Sequence, residues 1–371
     1  RRQRRGGGVS PARLVSFRAI HEETGPDAAV PAHYGAPLRE QRRLVAGSAI
    51  VDLGHFEVLE VRGEDRAPWL TTVTSQVFTD RAEGDSFEAC VLSPQGRVEA
   101  FMQVATGSDS FFLITDPGTR ERLRAYLELM TFASRIDLVD RDDLHVLGSC
   151  APVEDVCGEA PAPAAVWIQH WPKVAVGGVA YGPDPEFPEP WRLSLVSDAE
   201  LRKPDAPLRT PELFAGLWAA EALRIVNHRP RLVREVDEKT IPHELDLLRT
   251  AVHTAKGCYR GQETVAKVLN LGQPPRRLVR LHLDGSQDMP APVGADVFFG
   301  SKKVGELTSS ALHADEGPVA LAVLRRAVPH DAALIVAFEV GEATVRLDAS
   351  QVTIVAERDH GQRPKTAQLR R

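Results

Sequence analysis

The stretch Lys256-Gly257-Cys258-Tyr259-Arg260-Gly261-Gln262-Glu263 decides how this chain is read. It sets one thiol between two glycines, beside a lysine and an aromatic ring, just ahead of a helix predicted over residues 262–269. A cysteine so placed lies near the partial positive charge of a helix N-terminus and near a cation. Both favour the thiolate, the form that attacks electrophiles or ligates metals. Gly257 and Gly261 open backbone conformations closed to other residues and let a ligand approach closely. Spacing alone leaves a second reading open, a small buried residue in a tight turn.

Outward from this stretch the pattern is mixed α and β. Phe56 to Val61 reads as a strand, and Gly63-Glu64-Asp65 opens a short helix carrying Trp69 and Leu70. Phe87 to Leu92 and Arg97 to Val104 read as two strands joined at Ser93-Pro94-Gln95-Gly96. In the second, Val98, Ala100, Met102 and Val104 alternate with polar residues. After a strand at Ser110 to Thr115, Asp116 is expected to cap a helix with Pro117 in its first turn and Leu123, Leu127 and Met130 on its buried stripe. Residues 152–211 hold 11 of the 27 prolines and are expected to form short strands, at Val174 to Val176 and Arg192 to Val196, between long loops. Thr210-Pro211 is expected to start a helix with Phe214, Leu217, Trp218, Ala222 and Ile225 on one face. Beyond the signature, short strands at Arg277 to Leu283, Val297 to Phe299, Lys303 to Leu307, Val319 to Leu324 and Thr344 to Leu347 predict a small barrel.

The octapeptide resembles the signature of the YgfZ family of folate-binding proteins, relatives of the glycine-cleavage T-protein, an aminomethyltransferase. Its surroundings agree. Ala222-Leu223-Arg224-Ile225-Val226-Asn227 is similar to the family's helix end, and Lys239-Thr240-Ile241-Pro242-His243-Glu244 to its Ile-Pro-x-Glu segment. Gly272-Gln273-Pro274-Pro275-Arg276-Arg277-Leu278 resembles the entry to its C-terminal barrel, and Leu92-Ser93-Pro94-Gln95-Gly96-Arg97-Val98 a hairpin turn shared with T-protein. The resemblance implies an α+β fold: two interleaved T-protein-like α+β domains and a small C-terminal β-barrel packed in a ring, with folate in the central hole. The expected division is a disordered tail and entry loop (1–34), a first T-protein-like region (35–150), a second carrying the signature (151–273), the barrel (274–357) and a basic tail (358–371).

The resemblance also implies a function: a tetrahydrofolate-dependent accessory factor for assembly or repair of iron–sulfur clusters in client proteins. Cys258 is then the reactive thiolate and Lys256 its supporting cation, while Gly257 and Gly261 shape the loop. Tyr259 is expected to stack on the pterin or donate to it. Gln262, Glu263 and Asn227 offer donors and acceptors, and Arg224, Arg260 or Arg276 could meet the carboxylates of the glutamate tail. T-protein transferases carry Arg-Leu-Glu-Ala-Gly at the helix end, with the glutamate on the pterin. Here the run is Arg224-Ile225-Val226-Asn227-His228, and a valine accepts no hydrogen bond. Two other functions stay open, a folate-dependent one-carbon transferase and a folate-gated binding module linked to RNA modification.

Composition narrows the field further. A chain of 371 residues is too long for one small core, and no uninterrupted apolar run reaches membrane-spanning length. A net charge of −6 argues against nonspecific nucleic-acid binding by the body. The locally basic ends, Arg1 to Arg5 and Arg363 to Arg371, read as solvated tails, with an RNA-binding arm as the alternative. Four cysteines without a Cys-x-x-Cys pair predict reduced thiols in the cytoplasm and no metal site built by this chain alone. The paired N-terminal arginines precede no apolar segment, which argues against an export signal. Cys90 is expected in core packing. Gly-x-Ser-x-Gly is absent, and a Cys–His hydrolase pairing Cys258 with His253 or His243 lacks an orienting third group.

Overall fold

A computed structural model describes residues 19–158, 162–182, 190–202, 211–286 and 290–352. The first 18 residues of the expected tail and entry loop (1–34), the end of the expected barrel region (353–357) and the whole expected basic tail (358–371) lie outside these residues. The strand alternation read at Phe87 to Val104 produces the hairpin Ser86–Leu92 and Val98–Thr106, which belongs to a five-stranded antiparallel sheet. Its order is Ser86–Leu92, Val98–Thr106, Ser110–Thr115, Glu57–Arg62 and Asp137–Asp140. The helices Arg66–Val73 and Arg120–Leu129 bury Trp69, Leu70, Leu123 and Leu127 in the core of this sheet.

A second five-stranded sheet is assembled from distant segments. Its order is Ala165–Ile168, Arg192–Ser197, Leu144–Ser149, Ile50–Asp52 and Phe214–Ala215, the last pair parallel. All of the first sheet lies in sequence between Ile50–Asp52 and Leu144–Ser149, so the two sheets are interleaved. Residues 276–351 close a six-stranded barrel whose first strand, Arg276–Leu283, pairs with its last, Ala343–Gln351. The fold class is therefore α+β with a small C-terminal barrel, as the resemblance implied. The segment expected as an entry loop carries a two-stranded ribbon, Ile20–His21 with Pro31–His33.

Four local expectations are corrected. Asp116 does not cap a helix. The helix starts at Arg120, and the carboxylate of Glu57 on a neighbouring strand accepts from the backbone N–H of Thr119 at 3.0 Å and of Arg120 at 2.9 Å. Asp116 instead accepts from Arg231 at 2.7 Å. Phe214 lies in the strand Phe214–Ala215, and the helix begins only at Leu217, because the Phe214–Ala215 backbone completes the second sheet. Val174 to Val176 is a turn, not a strand: Ala175 and Val179 donate to the carbonyls of Arg249 and Leu248, so this backbone serves a loop. The strand Ala333–Val340 completes the barrel although nothing in the sequence pass singled it out.

The helix Leu217–Val226 lies at the junction of all three units. It touches the helix Pro37–Val45, the second sheet and the barrel strand Lys302–His313, which is why seven of its ten residues are buried.

Candidate functional site

The sequence-predicted residues fall into two places. The first is the signature turn. Gly261 has φ +83°, and a Cβ there would sit 2.5 Å from the Ser93 carbonyl oxygen and 2.9 Å from Gly96 Cα. Gly96 has φ +76°, and a Cβ there would meet Thr264 Cβ at 2.6 Å. The hairpin turn at residues 93–97 and the signature turn therefore nest through two glycines, and the requirement for Gly261 is packing. Gly257 has open space where a Cβ would go.

Lys256 reaches across to the C-terminal end of the helix Arg66–Val73. Its ammonium donates to the carbonyls of Thr71, of Thr74 at 2.5 Å and of Gln76 at 3.4 Å, and stands 4.7 Å from the centroid of the Tyr259 ring. Three protons thus find three acceptors on carbonyls that a helix end leaves unpaired. Burial lowers the Lys256 ammonium to about 8. Tyr259 is buried in a cluster with Cys90, Leu92 and Val265, and its hydroxyl has no hydrogen-bond partner among the described residues. Arg260 pairs with Glu99 at 2.9 Å, and the Gln262 amide donates to the Lys256 carbonyl at 3.3 Å. Glu263 is exposed in the first turn of the helix Gln262–Leu271. Cys258 is exposed, whereas Cys90, Cys150 and Cys157 are buried.

The second place is a cleft of about 90 Å³ between the two sheets, floored by the helix Leu217–Val226. Arg224 and Asn227 line it; Cys258, Lys256, Tyr259, Gly257, Gly261, Gln262 and Glu263 do not. Its apolar wall is made by Phe56, Trp167, Trp191, Leu193, Leu217 and Leu223, and its polar wall includes Glu88, Gln103, Gln169, Glu221, Arg229 and Arg231. None of these wall residues is named as a site residue from sequence; Phe56, Gln103, Leu217 and Leu223 are read only as strand or helix positions. Glu88 alone carries a signal, a carboxylate in the fully buried strand Ser86–Leu92, the kind of interruption that marks a site; Gln103 falls on the polar side of an alternating strand.

The cleft's charges are tightly paired. Arg231 donates to Asp27 at 2.8 Å, Asp116 at 2.7 Å and Glu221 at 3.1 Å. Arg224 donates to Glu221 at 2.7 Å, to Glu235 at 3.1 Å and to Ser309 of the barrel at 2.6 Å. Burial works to raise the Glu221 carboxyl, but Arg224 and Arg231 outweigh it and hold it at about 2. Glu88 is bound by Arg229 and by the Thr250 hydroxyl. The pterin-reading carboxylate that T-protein would place at Val226 has no substitute there: Val226 is buried outside the cleft lining, and its carbonyl accepts from Arg280 at 2.8 Å. His228 takes φ +57° at the helix end, the left-handed conformation in which a glycine would be at ease. Its Nε2–H donates to the Leu278 carbonyl at 3.1 Å, and burial lowers the imidazole to about 4.

The residues suit a flat, polar-edged heterocycle such as a pterin. The aromatic and aliphatic wall supplies a slot, and Gln169 Nε2 is buried on the cleft wall without a partner among the described residues, a donor awaiting an acceptor. Among the described residues no group of three or more His, Cys, Asp or Glu could hold a metal ion, and no helix is long and apolar enough to cross a membrane.

No protein-family model matches the sequence. A chloroplastic protein of Arabidopsis thaliana whose name proposes a transferase activity is 26% identical over 283 residues, 71% of this chain and 62% of that protein. An aminomethyltransferase of Stenotrophomonas maltophilia is 27% identical over 125 residues, 33% of this chain and 34% of its own length. The chain thus spans less than two thirds of these relatives. The crystal structure of the glycine cleavage system aminomethyltransferase T from Bartonella henselae superposes with a TM-score of 0.69 at 16% identity, covering 92% of this chain and 95% of that one. The fold is therefore that of the Bartonella aminomethyltransferase structure, and the sequence is similar to aminomethyltransferases over part of its length.

Proposed function

We propose that this chain binds tetrahydrofolate, or a one-carbon-substituted form of it, in the cleft between the sheets. We further propose that it acts as an accessory protein in the assembly or repair of iron–sulfur clusters, with Cys258 as the working thiolate. The observation that carries the folate reading is the cleft itself, with an aromatic wall, an unpartnered amide and no spare charge at its centre. Bound there, a reduced folate would supply a one-carbon carrier. Arg224 and Asn227 line the walls against which its ring and linker would lie. The client-facing role rests on exposure. Cys258 is the one thiol of the four that solvent reaches, on a turn rigidly seated by Gly261 and Lys256. Iron–sulfur clients and assembly proteins are its proposed partners.

Two measurements test this. Tetrahydrofolate should raise the melting temperature in a saturable way, since a ligand that binds only the folded state stabilises it by mass action. In cells lacking the gene, the wild-type chain should restore iron–sulfur enzyme activity and Cys258→Ala should not. Full restoration by Cys258→Ala would refute the thiolate role. The names of the sequence relatives favour a second reading, a folate-dependent one-carbon transferase. Formation of methylene-tetrahydrofolate from a small amine donor would select it over the accessory role.

A further inference from the structure

Behind the cleft wall lies a backbone position where a side chain is excluded, because two wall residues, Trp191 and Leu53, fill the space. Gly148 lies in the strand Leu144–Ser149 at the centre of the second sheet. A Cβ on Gly148 would stand 2.5 Å from Trp191 Cζ2, 2.7 Å from Cη2 and 2.9 Å from Leu53 Cδ1. The indole of Trp191 therefore lies directly on the bare backbone of the strand, and Trp191 and Leu53 both line the cleft. Strand interiors disfavour glycine, so its presence there marks a close approach. Trp167, on the edge strand Ala165–Ile168 of the same sheet, is fixed by its indole N–H donating to the Phe87 carbonyl at 2.9 Å, and it lines the same cavity. Next to these two rings, the Gln169 backbone N–H donates to the Trp191 carbonyl at 2.9 Å. The side-chain Nε2 of Gln169 is buried and unpartnered among the described residues. A primary amide offers a donor and an acceptor side by side, the complement of a lactam edge.

We propose that Trp191, seated on Gly148, is the stacking plate for the ligand's ring, and that Gln169 reads the ring's lactam edge. This deepens the folate reading above and rests on it only for the identity of the ring; a lactam heterocycle of another kind would use the same wall. The carboxylates of the cleft are unsuited to that reading role, because Glu88 and Glu221 are already held by arginines. An amide recognises a neutral lactam without bringing a further charge into a buried site.

The test is a binding titration of the full chain with a panel of tetrahydrofolate, tetrahydrobiopterin, riboflavin and guanosine. Wild type is compared with Gln169→Met, Trp191→Leu, Gly148→Ala and the double variant Gly148→Ala/Trp191→Leu. Melting curves without ligand identify the variants that fold. Gln169→Met and Trp191→Leu should each weaken the ring that wild type binds by roughly tenfold, the scale of one buried hydrogen bond or one aromatic stack. Gly148→Ala should displace the indole and weaken binding at least as much. The double variant should bind about as Trp191→Leu alone, because the indole clash is gone and the remaining close atom, Leu53 Cδ1 at 2.9 Å, is the free end of a flexible side chain. A merely structural glycine would instead give additive losses. If tetrahydrofolate fails to bind but another ring does and loses affinity in Gln169→Met, the folate reading falls and this inference stands. If the bound ring keeps its wild-type affinity in Gln169→Met and Trp191→Leu, or if no ring of the panel binds, the inference is overturned.

Discussion

Replacing Gly261 by alanine tests whether the signature glycine is there for packing. Two costs add. An alanine held at φ +83° bears about 1–2 kcal/mol of left-handed strain. Its Cβ would also lie 2.5 Å from the Ser93 carbonyl oxygen and 2.9 Å from Gly96 Cα, both backbone atoms that cannot swing aside. Relieving such a clash costs about 1–3 kcal/mol. The sum is about 2–5 kcal/mol, enough to move the urea midpoint clearly at unchanged slope. Gly261→Asn should recover part of the dihedral cost, since asparagine tolerates this region, and none of the clash. Gly257→Ala is the matched control: with open space at its Cβ and no positive φ recorded, its midpoint should stay within about 0.5 kcal/mol of wild type. The readout is urea unfolding followed by tryptophan fluorescence. Equal midpoints for Gly261→Ala and wild type would refute the nesting of the two turns. A Gly257→Ala variant that folds normally but loses function would assign that glycine to the chemistry.

Three further outcomes are expected. In native protein one thiol should react quickly with a chromogenic disulfide and four in urea, with the fast phase lost in Cys258→Ala; several fast thiols in the native protein would contradict the burial of the other three. Arg231→Ala should destabilise the protein by about 3–5 kcal/mol in urea unfolding, because Asp116 would lose its cation and Asp27 and Glu221 would each keep only the arginine pairing supplied by Arg234 and Arg224; a loss under 1 kcal/mol would show that the network is loose. Stability should also fall in acid in two overlapping windows. His228 and His243 are lowered by burial to about 4, so the stability they add is complete above about pH 6.5 and lost as pH falls towards 4. Glu221, held at about 2 against its burial by Arg224 and Arg231, adds stability above about pH 4.5 that is lost as pH falls towards 2. Unfolding curves taken from pH 8 to 3 check both, and Glu221→Gln should flatten only the lower window.

The hairpin at Phe87 to Val104 was legible because alternation is a local property of the chain, and the same holds for the start of the helix at Gln262. Where sequence reasoning failed, a distant partner had decided the matter. Glu57 caps the helix at Arg120, which frees Asp116 for Arg231, and strand pairing with Ile50–Asp52 draws Phe214 out of the helix. The signature pointed to the exposed thiol and to Arg224 and Asn227 near the cleft. It was silent on the cleft's own wall, because Glu88, Gln169, Trp191 and Arg229 come together only when the two interleaved sheets close on each other. Lys256 shows the same limit: its neighbour in sequence is the thiol, but its acceptors lie on a helix end almost two hundred residues away.

The ion-pair web around Arg231 and Arg224 draws one member from the N-terminal segment (Asp27), one from the first sheet's edge (Asp116), several from the stretch 221–235 and one from the barrel, Ser309, whose hydroxyl donates to Glu235 at 2.5 Å. Severing the chain ahead of the barrel would strip Glu235 of that hydroxyl, and trimming back past Asp27 would take from Arg234 its carboxylate and from Arg231 one of its three. The cleft is therefore braced by residues spread from Asp27 to Ser309 and not by one segment alone. Occupancy by ligand should report that every segment has docked, and recombination between relatives should exchange these residues as one inherited block.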